Sequence, residues 1–274
     1  MPARLRLLKH ISYTTSMIYF AHRGASAQAP ANSLPAFALA RQLGATYYEL
    51  DVHLSKDKQL VVHHDYNLST DTTCPRDIRE VVMSDIKSCR LLHNFDAELV
   101  TCPPLLKEVI PVIMEELELL NIEIKNDDNV YPGIEKILWQ RITEFGPEAA
   151  HKILFSSFDY PTLRRLRRIA PRARIGLLTR FFEPQKVLSL AAESVHISQT
   201  RITQEVIDWC HANGRKVYVY TVNDHYTARQ LARKGVDGIF TDRLDLFLQP
   251  RAALTATIRD KYLPLRLSKK TKIS

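Results

Sequence analysis

The sequence predicts a single α/β domain, a (β/α)8 TIM barrel with an insertion between its second strand and its third. Three observations lead there. Eight short β-rich runs alternate with helical patterns along the chain. The 274 residues suit one barrel, usually ~250 residues, better than two small domains. No G-x-G-x-x-G follows any strand, which weakens the rival, a doubly wound open sheet. Hydrophobic residues make up 45% and charged residues 25%, enough apolar surface to bury a large core rather than leave the chain disordered.

The expected strands lie near Ile18–His22, Tyr47–His53, Ile122–Lys125, Ile153–Ser157, Ile175–Leu178, Val195–Ser198, Val217–Thr221 and Gly238–Thr241. After the first comes SLPAFALARQLG, a helix that Asn32 is expected to cap and Gly44 to end in a left-handed turn. YTARQLARKG closes in the same way at Gly235. Roughly seventy residues separate the second strand from the third, far more than a usual βα connection. This insertion, about 54–118, contains the extended run LVVHHD, then TDTTCPRD and TCPPLLKEV. The barrel is expected to span 18–250, between an N-terminal extension (1–17) and a basic C-terminal tail (251–274).

The net charge of +8 invites a nucleic-acid reading, but its distribution argues otherwise. Residues 1–17 carry three basic and no acidic residues, and 251–274 carry seven basic and one acidic residue, which leaves the barrel at −1. A near-neutral core is not a basic nucleic-acid groove; the tails alone suit weak contact with an anionic membrane surface. RRLRRIAPRAR (164–174) follows Leu163 and contains Leu166 and Ile169 at helical spacing, so its arginines read as a solvated helix face. No apolar run approaches the ~18 residues of a transmembrane helix. The first 17 residues lack a secretory apolar core; they faintly resemble an organellar transit peptide, while Met17, just before the first strand, is the simpler start. Cys74, Cys89, Cys102 and Cys210 show no C-x-x-C spacing and do not read as a disulfide framework, so a reducing, cytoplasmic location is expected.

In YYELDVHLS, alternation places Glu49, Asp51 and His53 on one strand face and Leu50 and Val52 on the other. By itself this pattern equally suits an edge strand with a solvated polar face. NIEIKN repeats it, with Glu123 and Lys125 sharing a face. Three carboxylates from two neighbouring strands make an all-oxygen site suited to Mg²⁺ or Ca²⁺ rather than Zn²⁺. His53 shares that face, either supporting the site or as a satisfied core residue. IYFAHRGAS ends a strand with His22, Arg23 and Gly24, where a barrel places its chemistry. Histidine can move protons near neutral pH and arginine can fork two phosphoryl oxygens. His63 and His64 face opposite ways, and the strand pattern alone does not choose between them.

Together AHRG, P-x-N-S, ELDVHLSKD, VVHHDYNL, NIEIK, ILFSSF, VYTVND and GVDGIFTD occur in the order seen in glycerophosphodiester phosphodiesterases. The resemblance runs from about Ile18 to Leu246. It implies His22 and His64 as the acid–base pair, Glu49, Asp51 and Glu123 as ligands of a divalent metal, and Arg23 and Lys125 as holders of the phosphate. It implies hydrolysis of a small-molecule glycerophosphodiester to glycerol 3-phosphate and an alcohol. Phe158 and Tyr220, the latter in place of the family's tryptophan, are expected as pocket walls. The chain departs from the family where Ala31 replaces a glutamate after Pro30 and where Asp71 stands in place of an arginine. Asp242, ending the last strand, either faces the site or caps the following turn. Three other readings are a lysophospholipase D, a non-catalytic phosphate-binding module and, weakest, a nucleic-acid-binding protein.

Overall fold

A computed structural model describes residues 17–95 and 99–249. The expected extension (to residue 16) and the basic tail lie outside the described residues. The strands are β1 (Ile18–His22), β2 (Tyr47–Leu54), β3 (Leu60–Val62), β4 (Leu119–Ile124), β5 (Ile153–Ser157), β6 (Arg174–Thr179), β7 (Ser194–Ser198), β8 (Lys216–Tyr220) and β9 (Gly238–Thr241). All but β3 pair in parallel, each with its neighbour in the order β1-β9-β8-β7-β6-β5-β4-β2, and pairing of β1 with β2 closes the ring. Eight parallel strands in a closed ring, with helices between them, make a (β/α)8 barrel. β3 lies antiparallel against the far end of β2, with Val52 opposite Val62 and Leu54 opposite Leu60.

Alternation along each strand separates two cores. Leu50, Val52, Ile122, Ile124, Phe155, Ile175, Val195 and Val219 join the layer packed with the surrounding helices. Phe20, Leu119, Leu154, Tyr218 and Phe240 form a separate cluster within the ring. Above this cluster the interior turns polar, with buried Asn121, Ser156 and His196. Gly176 makes room for that layer, since a Cβ there would lie 2.5 Å from His196 Nε2.

Gly44 and Gly235 take the left-handed conformation expected at their helix ends, with φ +86° and +93°. The start of the first helix differs from expectation. Ser33, not Asn32, caps Leu34–Gln42, its Oγ accepting the Ala36 amide, because the Asn32 side chain is drawn to Asp51. The third barrel strand begins at Leu119, three residues before the expected Ile122, since Leu119 and Leu120 pair with Tyr47 and Tyr48.

Between β2 and β4 the chain builds a small core of its own from Val61, Leu68, Ile78, Val81, Met83, Ile86 and Cys89. The helix Leu106–Ile113 then rejoins the layer around the barrel, beside Leu34–Gln42. Cys74 and Cys89 form a disulfide, with Cα atoms 5.5 Å apart; Cys102 and Cys210 are free. This corrects the expectation that no cysteines pair, and it removes the cysteine argument for a reducing compartment. The pairing was hidden in the sequence because a separation of 15 positions matches no framework spacing, and only the folding of the insertion brings the thiols together. Among the described residues no helix is long and apolar enough to cross a membrane.

Candidate active site

The strand pairing assembles the carboxylates. In β1–β2 register Glu49 stands opposite His22, and in β2–β4 register Asp51 stands opposite Glu123. Ligand oxygens of Glu49, Asp51 and Glu123 all lie within 4.8 Å of one another, and Glu49 and Asp51 are buried. Two cations answer this charge. Arg23 Nε lies 3.2 Å from Asp51 Oδ2, and Lys125 Nζ lies 2.9 Å from Glu123 Oε1 and 3.6 Å from Asp51 Oδ1.

The three acids titrate apart. Burial would raise Asp51, but the adjacent Lys125 and Arg23 outweigh it and hold the group well below the usual carboxylate range. Burial pushes Glu123 up to about 7, against the opposing pull of Lys125. Burial, reinforced by the Asp51 charge, raises Glu49 well above its ordinary value. Both shifts favour the protonated forms of Glu49 and Glu123, and a bound cation would oppose them. Asp51 Oδ1 is buried without a hydrogen-bond donor, a lone pair aimed into an all-oxygen cluster. That donor set fits a hard divalent cation.

The turn after β1 is built for close approach. Arg23 has φ +58°, a left-handed conformation uncommon for a side-chain-bearing residue. Its amide donates to the Glu49 carbonyl (3.1 Å) and to Glu49 Oε2 (2.9 Å). Gly24, at φ +82°, packs so tightly that a Cβ would lie 2.6 Å from the Ala36 carbonyl carbon. Asn32 donates to Asp51 Oδ2 at 2.8 Å and fixes that carboxylate from behind.

Each expected histidine has an aspartate on Nδ1. His22 Nδ1 lies 2.7 Å from Asp242 Oδ1, and His64 Nδ1 lies 2.7 Å from Asp65 Oδ1. Ser26 and Asn223 also donate to Asp242, at 2.9 and 2.7 Å. Burial of Asp242 is outweighed by its hydrogen bond with His22, so it stays ionised far below the usual range. An ionised acceptor makes Nδ1 the donor in His22, which leaves Nε2 to the pocket. Burial lowers His64, with partial compensation from Asp51.

His63 and His64 part as alternation requires. His63 is buried, its Nε2 3.2 Å from Asp71 Oδ1, whereas His64 lines the pocket. His53 is buried between Tyr131 and the His64 backbone, its Nδ1 3.0 Å from the tyrosine hydroxyl and its Nε2 3.1 Å from the His64 carbonyl. The carbonyl can only accept, so Nε2 donates and Nδ1 accepts from Tyr131. Burial depresses His53 to about 3, which keeps the ring neutral.

A cavity of about 200 Å3 brings His22, Arg23, Glu49, His64, Glu123 and Lys125 together, with Phe158 and Tyr220 among its walls. Phe158 and Tyr220 meet edge-on at 6.1 Å. Every expected site residue except Asp51 lines it, and Asp51 lies behind, within the carboxylate cluster. Asn121 and His196 also line it and had not been singled out. Asn121 was legible, sharing strand parity with Glu123. Asp65 was visible only as a neighbour of His64, and Asn32 was read as a cap because its partner lies nineteen residues away.

The chain is similar to known proteins along most of its length. Residues 22–246 match the model of the glycerophosphoryl diester phosphodiesterase family. A glycerophosphodiester phosphodiesterase from Caldanaerobacter subterraneus subsp. tengcongensis is 35% identical over 232 residues, covering 82% of this chain and 93% of that protein. A lysophospholipase D from Mus musculus is 29% identical over 266 residues, covering 82% of each chain. Among solved structures, an Oleispira antarctica phosphodiesterase in complex with the product sn-glycerol-3-phosphate superposes with a TM-score of 0.70 at 27% identity, over 82% of this chain and 92% of that one. The chain thus belongs to the glycerophosphoryl diester phosphodiesterase family of phosphoric diester hydrolases.

Proposed function

We propose that the chain hydrolyses glycerophosphodiesters to glycerol 3-phosphate and an alcohol, and that it needs a divalent cation, Mg²⁺ or Ca²⁺, to do so. The observation that carries this reading is the cluster of Glu49, Asp51 and Glu123 within 4.8 Å, flanked by two histidine–aspartate pairs. Three carboxylates would hold the cation, which when bound supplies positive charge to an anionic phosphodiester.

Arg23 and Lys125 line the same cavity and would hold the remaining phosphoryl oxygens by charge-assisted hydrogen bonds. His22 accepts a proton from the attacking water at Nε2 while Asp242 holds Nδ1–H. The new bond joins water oxygen to phosphorus; the bond that breaks joins phosphorus to the alcohol oxygen. His64 delivers a proton to that oxygen as it leaves. Asp65 fixes the His64 ring, and His53 fixes its backbone. Phe158 and Tyr220 wall the organic part of the substrate.

Purified protein, stripped with chelator and assayed on glycerophosphocholine and glycerophosphoethanolamine, should be inactive and regain turnover with Mg²⁺ or Ca²⁺. Glu49→Gln, Asp51→Asn and Glu123→Gln should each lose most activity while remaining folded. Full activity of the triple variant in chelator would remove the metal from the mechanism. A second reading, a lysophospholipase D, draws on the mouse relative of that name; turnover of lysophosphatidylcholine exceeding that of glycerophosphocholine would favour it.

A further inference from the structure

A groove of about 410 Å3 adjoins the cavity, shares Phe158 and Leu178 with it, and is lined further by Asp127, Arg180, Phe181 and Lys186. One of its lining residues, Asp127, accepts a hydrogen bond at 3.1 Å from the hydroxyl of Tyr66, two residues beyond His64, which ties the groove to the His64 side of the cavity. Given the role proposed for His64, this is the side from which the alcohol departs.

The charges in the groove are unevenly satisfied. Lys186 is paired with Glu183 at 2.6 Å. Arg180 has no carboxylate in ion-pair reach among the described residues; its contact is the Phe158 ring, whose centre lies 5.4 Å from the guanidinium carbon. A cation over the ring is held by the π-face, which makes no hydrogen bond to its N–H groups and so leaves them for a ligand. The aromatic residues, by contrast, are poorly disposed to hold a quaternary ammonium. One face of Phe158 is taken by Arg180, one of Phe181 by Arg201 at 4.9 Å, and Tyr160 is approached by Arg164 and Lys186.

We propose that this groove receives the leaving alcohol and that Arg180 selects one bearing a carboxylate. The inference rests on the phosphodiesterase reading above and deepens it. Arg180 would fork the carboxylate, and Asp127, in the same groove, offers an acceptor to an ammonium. An amino-acid-like alcohol such as serine satisfies both.

Glycerophosphoserine and glycerophosphoethanolamine differ by one carboxylate, so the ratio of their kcat/KM values isolates the contact. The wild-type protein should favour the serine ester by about fivefold, the upper end for an ion pair at an exposed arginine. The ratio should fall to about one in Arg180→Gln and reverse in Arg180→Glu. Arg180 is exposed, so both variants should fold, and their melting curves should overlay the parent's. A wild-type preference for the ethanolamine or choline ester, or a ratio unchanged in both variants, would overturn the assignment while leaving the activity intact. Failure to hydrolyse any of these diesters with either metal would instead overturn the parent reading, and this one with it.

Discussion

At the scale of single residues, the two histidines hold equivalent local positions, each with an aspartate 2.7 Å from Nδ1, yet their proposed tasks differ. A substrate with an aliphatic leaving group expels a strong base that needs a proton as the P–O bond breaks. A nitrophenyl phosphodiester expels a phenolate that hardly does. His64→Ala should therefore lose ~10²–10⁴-fold on glycerophosphocholine and much less on the nitrophenyl ester. His22→Ala should be impaired on both, since the water must be activated whatever leaves. The reverse pattern would exchange the two roles; equal losses on both substrates would make neither histidine the donor. The family resemblance chose His64 over His63, and alternation puts His63 into the interior beside Asp71. Asp242 was ambiguous in the sequence because a residue just past a strand end has no parity that compels it inward. The hydrogen bonds from His22, Ser26 and Asn223 decide its orientation.

At the scale of elements, the segment between β2 and β4 carries both His64, the proposed general acid, and the Cys74–Cys89 bridge. Its own core is a handful of side chains, too few to be independent of a cross-link. Closing a loop of this length lowers the entropy of the unfolded chain, by ~3 kcal/mol in the chain-entropy account. Replacing both cysteines by serine should lower Tm and raise protease sensitivity within 55–105, with a larger loss of kcat than of substrate affinity. Unaltered melting and proteolysis would show that the bridge adds nothing. The strands, in contrast, were legible almost to the residue, because β-branched runs bounded by turn residues leave few alternatives. The boundary missed was the start of β4, where Leu119 and Leu120 read equally well as the end of a helix.

At the scale of the whole molecule, the buried acids make stability depend on pH and metal together. Glu123 is pushed up to about 7 by burial, above its ordinary unfolded value, so the folded protein binds its proton more tightly than the unfolded chain does. Its contribution is thus fully present at acid pH and lost as pH rises from about 4.5 through 7, on the order of 3 kcal/mol. Glu49 is shifted the same way. Asp51, held low by Lys125 and Arg23 against its burial, acts oppositely, and only in strong acid. In chelator, melting temperature should fall between pH 5 and 8 more steeply for the parent than for Glu123→Gln, whose amide does not titrate. Added Mg²⁺ or Ca²⁺ should flatten the parent's curve, because metal binding displaces the same protons. Parallel curves for parent and variant would mean that this carboxyl titrates normally.

The sequence by itself determined the barrel and placed three carboxylates on neighbouring strands, because strand alternation is a local property that repeats through the chain. It also marked the chemistry, since His22, Arg23, Glu49, Asp51, His64, Glu123 and Lys125 stand in recognisable motifs. Only the tertiary structure decided which partners those residues have. Closure of β1 on β2 and β9 sets His22 against Glu49 and Asp242, and the turn before the first helix turns Asn32 from a cap into a support for Asp51. The folding of the insertion joins Cys74 to Cys89, and the loop after β6 lays Arg180 on Phe158. Each of these contacts joins residues distant in the chain, and no local periodicity records which of the possible long-range pairs the packing will select.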